Sequence, residues 1–478
     1  MKLLPLAAAL ISAVFSTAAL AGPQLLAVGS LKAGGADLST QTAGALENGV
    51  AGNLLGGMGS GLAWAGGSTF LATPDRGPNA VPYNPLVDDT TSYIARFQTV
   101  TMGLSANTSG SGLKFNLTPT LSATTLLSSP TALVYGSGAA GTGSVGGIAY
   151  TLGNGTPTLN ATNNTNYFTG RSDGFDASKT STNPNNARLD PESIRVSNDG
   201  KSIFVSDEYG PYVYQFNRAT GERIASFALP ANLAVTNLSA QGSLEISGNT
   251  SGRVANKGME GLAITPDGKT LVGIMQAPLE QDAAKSLRIV TIDIATGVTH
   301  EYAYMLTTGS GVSDIVALSA TEFLVDERDG KGLGDGSKAV IKQLFKIDIA
   351  GAEDITAQSG DLSAKAVKKT MFIDLVAALK AYGLSADSIP SKIEGLAFGG
   401  DVMVDGVLNH TLYVANDNDF LTSAGNNNFY VFGVTDADLG AVGATFKAQA
   451  ITAVPEPMSM ALVCLGLMGI AGARRRRN

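Results

Sequence analysis

The chain is poor in the residues that most often carry chemistry. Cys464 is the one cysteine among 478 residues, which excludes a disulfide framework. His300 and His410 are the two histidines, so a three-histidine zinc site or a histidine relay is excluded. Two scattered histidines and the lack of a G-x-S-x-G elbow argue against a Ser-His-Asp triad. Gly330 to Gly336 lacks the G-K-[ST] and the helix of a phosphate-binding loop. Asp326 to Asp335 has the wrong acidic spacing for an EF-hand. Charged residues are 15% and the net charge is −8, without the basic footprint of a general nucleic-acid binder. Long amphipathic helical patterns are scarce, and Asp374 to Tyr382 is the clearest.

What is present is a globular composition, 44% hydrophobic with 58 glycines, long enough for one large β domain or two smaller ones. The two ends read as addresses. Residues 1–21 have Lys2, an apolar stretch from Leu3 to Phe15, and an A-x-A site at Ala19–Ala21. That is a signal peptide, and with no twin arginine it predicts export by the general secretion route. Residues 454–478 open on Val454-Pro455-Glu456-Pro457. An apolar run, Met458 to Gly472, and Arg474 to Arg477 follow. The run is short for a bilayer span, and the arginines would stay in the cytoplasm. This tail closely resembles the PEP-CTERM sorting signal of Gram-negative bacteria. The resemblance implies an exosortase partner, cleavage near Pro-Glu-Pro, a transient inner-membrane anchor formed by a transmembrane helix, and delivery to the cell surface or extracellular polymer.

Without Lys2, the four tail arginines and Glu456, the body 22–453 keeps 27 basic and 39 acidic residues, a net −12, and no cysteine. This suits an oxidising exterior and favours cations over polyanions.

A degenerate repeat organises the body. Its first half is Ser60-Gly61-Leu62-Ala63, Glu192-Ser193-Ile194-Arg195, Glu260-Gly261-Leu262-Ala263, Ser313-Asp314-Ile315-Val316 and Glu394-Gly395-Leu396-Ala397. Its second half is a β run that in most copies ends in acidic residues, as in Phe70–Arg76, Ile203–Glu208, Phe323–Arg328 and Leu412–Asp417. Asp199-Gly200 and Asp267-Gly268 mark hairpin turns between the halves, and Thr220-Gly221 and Thr296-Gly297 mark a second hairpin. Four strands per unit predict an all-β protein, a β-propeller of six or seven blades. The gap from Ser60 to Glu192 leaves room for one or two further blades, and residues 101–180 read as irregular strands with long loops. A pair of β-sandwiches is the alternative.

In a propeller the first strand of each blade lines the axis. Glu192, Glu260 and Glu394 then converge at one mouth. Carboxylates brought together repel unless a cation lies among them, and oxygen donors without histidine or cysteine suit Ca²⁺. The alternative is that each glutamate only caps its strand. A second acidic set, Asp75, Asp207, Glu208, Glu327, Asp417 and Asp419, follows apolar strands as they emerge into loops. Arg76 and Arg328 sit beside two of these, with Arg188 and Lys257 just before the glutamates. Metal ligands would be Glu192, Glu260, Glu394, Asp75, Glu327 and Asp417. Catalytic groups would be the three glutamates with Asp207 and Glu208, and Arg76, Arg188, Lys257 and Arg328 would grip substrate. His300 and His410 are expected at the surface.

The stretches Asp190–Ile194, Ser206–Tyr212, Asn256–Leu262, Ala277–Asp282 and Leu324–Asp329, with Gly57–Ala63 and Asp75–Gly77 as an opening unit, resemble the phytase-like domain family over about 50–435. The group is described as having esterase-like activity of phytase. The resemblance implies a propeller with phosphatase or esterase potential and calcium dependence. Three functions follow: a metal-dependent hydrolase of phosphate or carboxylic esters, a calcium-dependent lactonase, or a surface propeller that binds polysaccharide or a matrix partner without catalysis.

Overall fold

The computed structural model describes residues 22–78, 90–136, 142–145, 148–151, 155–176, 183–239, 247–307 and 311–452, with positions 179, 181, 245 and 309. The apolar runs at both ends, with the expected signal peptide and transmembrane helix, lie outside the described residues. Among the described residues no helix is long and apolar enough to cross a membrane.

Five antiparallel sheets of four strands organise the described chain. Blade 1 is Gly61–Trp64, Thr69–Thr73, Arg96–Ala106 and Phe115–Leu126. Blade 2 is Pro191–Val196, Ser202–Asp207, Tyr212–Asn217 and Arg223–Ala228. Blade 3 is Met259–Ile264, Thr270–Met275, Ser286–Asp293 and Thr299–Met305. Blade 4 is Gly311–Ala317, Glu322–Arg328, Lys342–Asp348 and Lys369–Asp374. Blade 5 takes Lys392–Phe398, Val407–Asp417 and Asn427–Val434 from the end of the chain. Its outermost strand is Gln24–Leu31 from the beginning, so the ring is latched by joining the two ends. The innermost strands touch in a closed circle, blade 1 to 2 to 3 to 4 to 5 and back to 1.

The propeller therefore has five blades, not six or seven. Among its described residues the interval after blade 1 forms no four-stranded sheet. Its described parts are the short pairings Ser128–Ser129 with Asn166–Tyr167 and Thr142–Val145 with Ile148–Thr151, and the helix Thr158–Asn163. Within 101–180, expected to be irregular strands with long loops, 101–106 and Phe115–Leu126 lie in the two longest strands of blade 1, Arg96–Ala106 and Phe115–Leu126.

Strand position explains strand chemistry. Inner strands such as Ser202–Asp207 are buried throughout, because both faces meet neighbouring blades, and so read as continuous apolar runs. The outer strand Arg223–Ala228 alternates half-buried and exposed residues. Five apolar clusters fill the five blade interfaces. Ile194 packs with Leu71 between blades 1 and 2, and Leu262 with Phe204 between 2 and 3. Ile315 meets Val272 between 3 and 4, Leu396 meets Leu324 between 4 and 5, and Tyr413 meets Phe70 between 5 and 1. The expected helix is Leu375–Tyr382; Asp374 caps it by accepting from the Ala377 N–H, and Gly383 at φ 114° ends it.

Small residues let the inner strands crowd the axis. A Cβ on Gly61 would lie 2.8 Å from the Ser193 Cα, and one on Gly261 would lie 2.9 Å from the Asp314 Cα. Blade 4 carries Asp314 where blades 1, 3 and 5 have glycine, and its carboxylate fills the space. Both oxygens accept from Arg195 Nη2 at 2.9 Å. Asp314 also accepts from Ser193 Oγ and the Leu396 N–H, while Arg195 donates to the carbonyls of Leu62 and Ile315. One buried ion pair thus ties blades 1, 2, 4 and 5 and blocks the channel midway. His410 departs from expectation as well. It is buried between Asp401 and Asp436, and its ring packs at a tilt against Phe446.

Replacing Arg195 with alanine leaves Asp314 buried without its counter-charge. The expected cost is about 3–5 kcal/mol, seen as a lower urea midpoint. Arg195→Met combined with Asp314→Leu removes both charges and is expected to cost clearly less than R195A alone. Equal losses would show that the pair does not govern the axis.

Candidate metal and catalytic site

Each inner strand enters at the same end of the propeller, and at that entrance the ladder slips. Register shifts fall at Pro191–Ile194, Met259–Gly261, Val312–Ile315 and Ile393–Leu396 in blades 2 to 5. A bulge of this kind re-aims the extra residue. The bulged residues are Glu192, Glu260, Ser313 and Glu394, and Ser60 holds the equivalent place in unbulged blade 1. The second strands leave at the same end. Counting from the paired residues, Asp75, Glu208, Gln276, Arg328 and Asp417 are equivalent across the five blades. Two stacked rings of polar side chains therefore line one mouth.

Their contacts knit the mouth together. Gln276 Nε2 donates to Glu260 Oε1 at 2.7 Å. Arg328 reaches Ser313 Oγ and Glu394 Oε1, each at 2.5 Å, and lies 3.6 Å from Glu260 Oε1. Lys392 Nζ pairs with Asp417 at 3.0 Å and Asp419 at 2.5 Å. Arg76 pairs with Asp190 at 2.9 Å and lies 4.0 Å from Glu208. Glu208 also accepts from the Gly258 N–H. Two carboxylate triplets each offer oxygens within 4.8 Å of one another: Asp190 with Glu192 and Glu208, and Asp75 with Asp417 and Asp419. The acidic clusters could thus bind a metal ion.

The balance of charge is unusual for buried groups. Asp75, Asp190, Glu192, Glu208, Glu260, Glu394, Asp417 and Asp419 face the cations Arg76, Arg328 and Lys392 among the described residues. Burial first, and then the neighbouring carboxylates, hold Glu192, Glu260 and Asp75 well above the usual carboxylate range. Burial and Asp190 raise Glu208 to about 7. Burial raises Asp417 to about 7 against the pull of Lys392. Glu260 Oε2 and Glu394 Oε2 are buried with no hydrogen-bond partner among the described residues.

Not every expected residue joins the mouth. Glu327 and Asp207 sit one position off the ring, where strand alternation turns them to the other side. Glu327 lies in a buried cluster with the Tyr304 hydroxyl and Lys369. Asp207 accepts from the backbone N–H groups of Asp190 and Tyr209 and shapes that loop. Arg188 is buried against the Phe175 ring, 4.5 Å from its centre, and donates to the Ser172 carbonyl. Lys257 is exposed on the loop before blade 3. His300 is exposed beside Asp354. Three contributors escaped the sequence reading: Asp190, Lys392 and Gln276. Asp190 and Lys392 stand two residues before Glu192 and Glu394, and a period of two along the inner strand would have marked both.

Comparison with known proteins identifies the family of the chain. A family model described as "Phytase-like: Esterase-like activity of phytase" matches residues 53–420, and the PEP-CTERM protein-sorting motif matches 453–477. An "Uncharacterized secreted protein" of Arthroderma benhamiae is 34% identical over 143 residues, 25% of this chain and 27% of that relative. The chain thus spans about a quarter of that relative's length. Among solved structures, the hydrazine synthase of Kuenenia stuttgartiensis is 11% identical with a TM-score of 0.29, covering 76% of this chain and 78% of that one. The Cps50 β-propeller domain of Myceliophteria thermophila is 9% identical with a TM-score of 0.22, covering 47% and 51%. With its family match running from before the first blade into the last, the chain belongs to the phytase-like family and ends in a PEP-CTERM sorting motif.

Proposed function

We propose that the chain is an exported, calcium-dependent hydrolase of phosphate or carboxylic esters that works at the acidic mouth of its propeller. The carrying observation is the convergence of Glu192, Glu260 and Glu394 from three blades, with the buried Oε2 atoms of Glu260 and Glu394 left without partners among the described residues. Buried acceptors normally find a donor or an ion. An all-oxygen donor set with no histidine or cysteine suits calcium. Glu192, Glu208 and Asp190 on one side and Asp75, Asp417 and Asp419 on the other would hold it.

A cation bound there supplies polarisation of the ester oxygen and neutralises an anionic substrate. The chain's own residues orient and exchange protons. Glu208, raised to about 7 without a cation, gives up its proton as the cation binds, and Glu260, whose Oε2 has no partner among the described residues, serves as general base toward water. Glu192, 8% exposed beside Glu208, is the most open of the three glutamates. Arg328 fixes Glu394 and Glu260 in place, so it positions carboxylates and leaves little of its charge for substrate. Arg76 is likewise held by Asp190. Lys257, exposed and without an ion pair among the described residues, remains for an anionic substrate. With its arginines committed, the mouth favours a carboxylic or metal-neutralised ester over a bare polyphosphate. The sorting motif implies exosortase processing; we place the mature chain at the surface of a Gram-negative cell, after transient anchoring in the inner membrane.

Turnover of aryl acetate, aryl phosphate and lactone substrates is the direct test. Glu192→Gln and Glu260→Gln are each expected to lower calcium-stimulated kcat/KM about 100-fold or more. No turnover of any of the three, with or without calcium, would end the hydrolase reading.

The carboxylates also set a pH dependence. Glu208 and Asp417 titrate near 7 in the folded chain and near 4 when unfolded. Between those values the folded state holds more protons, so stability without divalent cations is expected to fall as pH rises from about 4 to about 7. The expected loss in Tm is on the order of 5 °C. Calcium competes with the same protons, so its stabilisation should be larger at pH 7.5 than at pH 5. A Tm indifferent to calcium at both pH values would exclude the cation site.

A further inference from the structure

The two ends of the propeller are unlike. Opposite the carboxylates, the channel is closed by the chain's own C-terminal segment. Because Gln24–Leu31 takes the outer place in blade 5, the chain leaves that blade after Asn427–Val434, whose last residue lies at the closed end. It then makes the helix Asp436–Ala441 and crosses the floor. Phe446 packs at a tilt against Phe398, ring centres 4.6 Å apart, and the Lys447 N–H donates to the Leu318 carbonyl of blade 4. Gln449 donates to the Val196 carbonyl and to Asn198 Oδ1 of blade 2, and the Thr452 N–H donates to the Asn198 carbonyl. A cavity of about 50 Å³ remains beneath this strap, walled by Leu62, Arg195, Leu396 and Phe446.

Thr452 is thus fixed at the closed end, six residues before Met458 begins the apolar run. Six residues reach roughly 20 Å at full extension. A bilayer that takes up the run must therefore lie close to this face. The same end carries an apolar tip. The hairpin Val402–Val404 with Val407–Asn409, turned by Asp405 at φ 48° and Gly406 at φ 82°, runs on past the last residue of the blade 5 inner strand. Met403, Val407 and Leu408 on it are 59%, 53% and 48% exposed. Apolar side chains gathered on a protruding tip mark a contact surface, and the short tether selects a membrane as its partner.

We propose that the closed end docks on a phospholipid bilayer while the tail is anchored, with Met403, Val407 and Leu408 entering the lipid interface and the acidic mouth facing away. The proposal rests on the tail acting as an anchor and is independent of whether the mouth hydrolyses esters. It gives the mouth free access to solutes on the exported side of the inner membrane during sorting.

Residues 22–478 carrying Cys464→Ser provide a background without cysteine. Single cysteines placed at Met403 (closed end) and Ser423 (exposed loop at the mouth) carry an environment-sensitive fluorophore. Vesicles of phosphatidylethanolamine and phosphatidylglycerol contain spin-labelled lipid, and Leu408→Cys serves as a second closed-end site should the first variant fold poorly. The expected result is co-flotation, at least two-fold quenching at 403 or 408, and no measurable quenching at 423. Quenching that is equal at the two ends, or stronger at 423, overturns the orientation. Failure to float overturns the anchoring beneath it. Neither outcome touches ester turnover, which is assayed on residues 22–452 in solution.

Discussion

The narrowness of the axis governs the molecule. Five inner strands close a tighter ring than six or seven would, and they meet only because Gly61 and Gly261 present no side chain to their neighbours. Asp314 breaks that pattern, and Arg195 answers it with two contacts at 2.9 Å inside the ring. A buried pair is costly to desolvate and is retained where its hydrogen bonds are complete. Here all but Arg195 Nε find partners among the described residues, many of them backbone groups of four blades, so the pair fixes how the blades meet. Its second consequence is functional. The channel is blocked midway, so the carboxylates above line a blind mouth rather than a conduit.

The blocked axis also explains how so many carboxylates can be buried at one end. Arg328 and Lys392 each bridge two acidic groups, and Arg76 holds Asp190 within reach of Glu208. These internal cations offset only part of the repulsion. What remains is met by protons, which is the physical meaning of carboxylates displaced to about 7 at Glu208 and Asp417. A proton and a divalent cation are alternative occupants of the same oxygens. The occupant present at a given pH decides whether these groups act as acids or as ligands.

Much of this was legible in the sequence because the repeat is written in the residues that touch the axis. Glu192, Glu260 and Glu394 stand at equivalent places in their motifs, and the register puts them at one mouth. The blade count was not legible, since an insertion between blades 1 and 2 has the length of a blade but, among its described residues, no four-stranded sheet. Glu327 and Asp207 misled for a different reason. Alternation places strand neighbours on opposite sides, so of Asp207–Glu208 and of Glu327–Arg328 one residue must leave the ring. In blade 4 the residue that stays is Arg328, and in blade 2 it is Glu208. The Arg195–Asp314 plug was invisible, because two residues 119 positions apart give no local signal. His410 looked like a loop residue only because the hairpin before it extends its strand to Val407–Asp417.

Loop length gives the ring a direction. Second strands lead to third strands at the mouth, across 74–95 in blade 1, 276–285 in blade 3 and 329–341 in blade 4. The passages between blades 1 and 2 and between blades 2 and 3 also arrive there, at Asp190 and Gly258. At the other end the turns 65–68, 197–201, 265–269, 218–222 and 294–298 are short. The exceptions are 107–114, the hairpin connection 399–406 and 349–368; the last packs along the outer strand of blade 3, where Ile355 and Val367 donate to the Glu301 and Ala303 carbonyls. Long loops are tolerated where they do not disturb the core, and they are where chemistry can be added. Both the acidic side chains and the added length fall on the same end. The closed end carries the tight turns, the strap and the exit toward the sorting motif. A scaffold that separates its holding end from its reactive end needs no moving part to present the site. The geometry of five blades latched by the N-terminal strand imposes the separation, because a blade completed from the beginning of the chain must release its other terminus at the face away from the mouth.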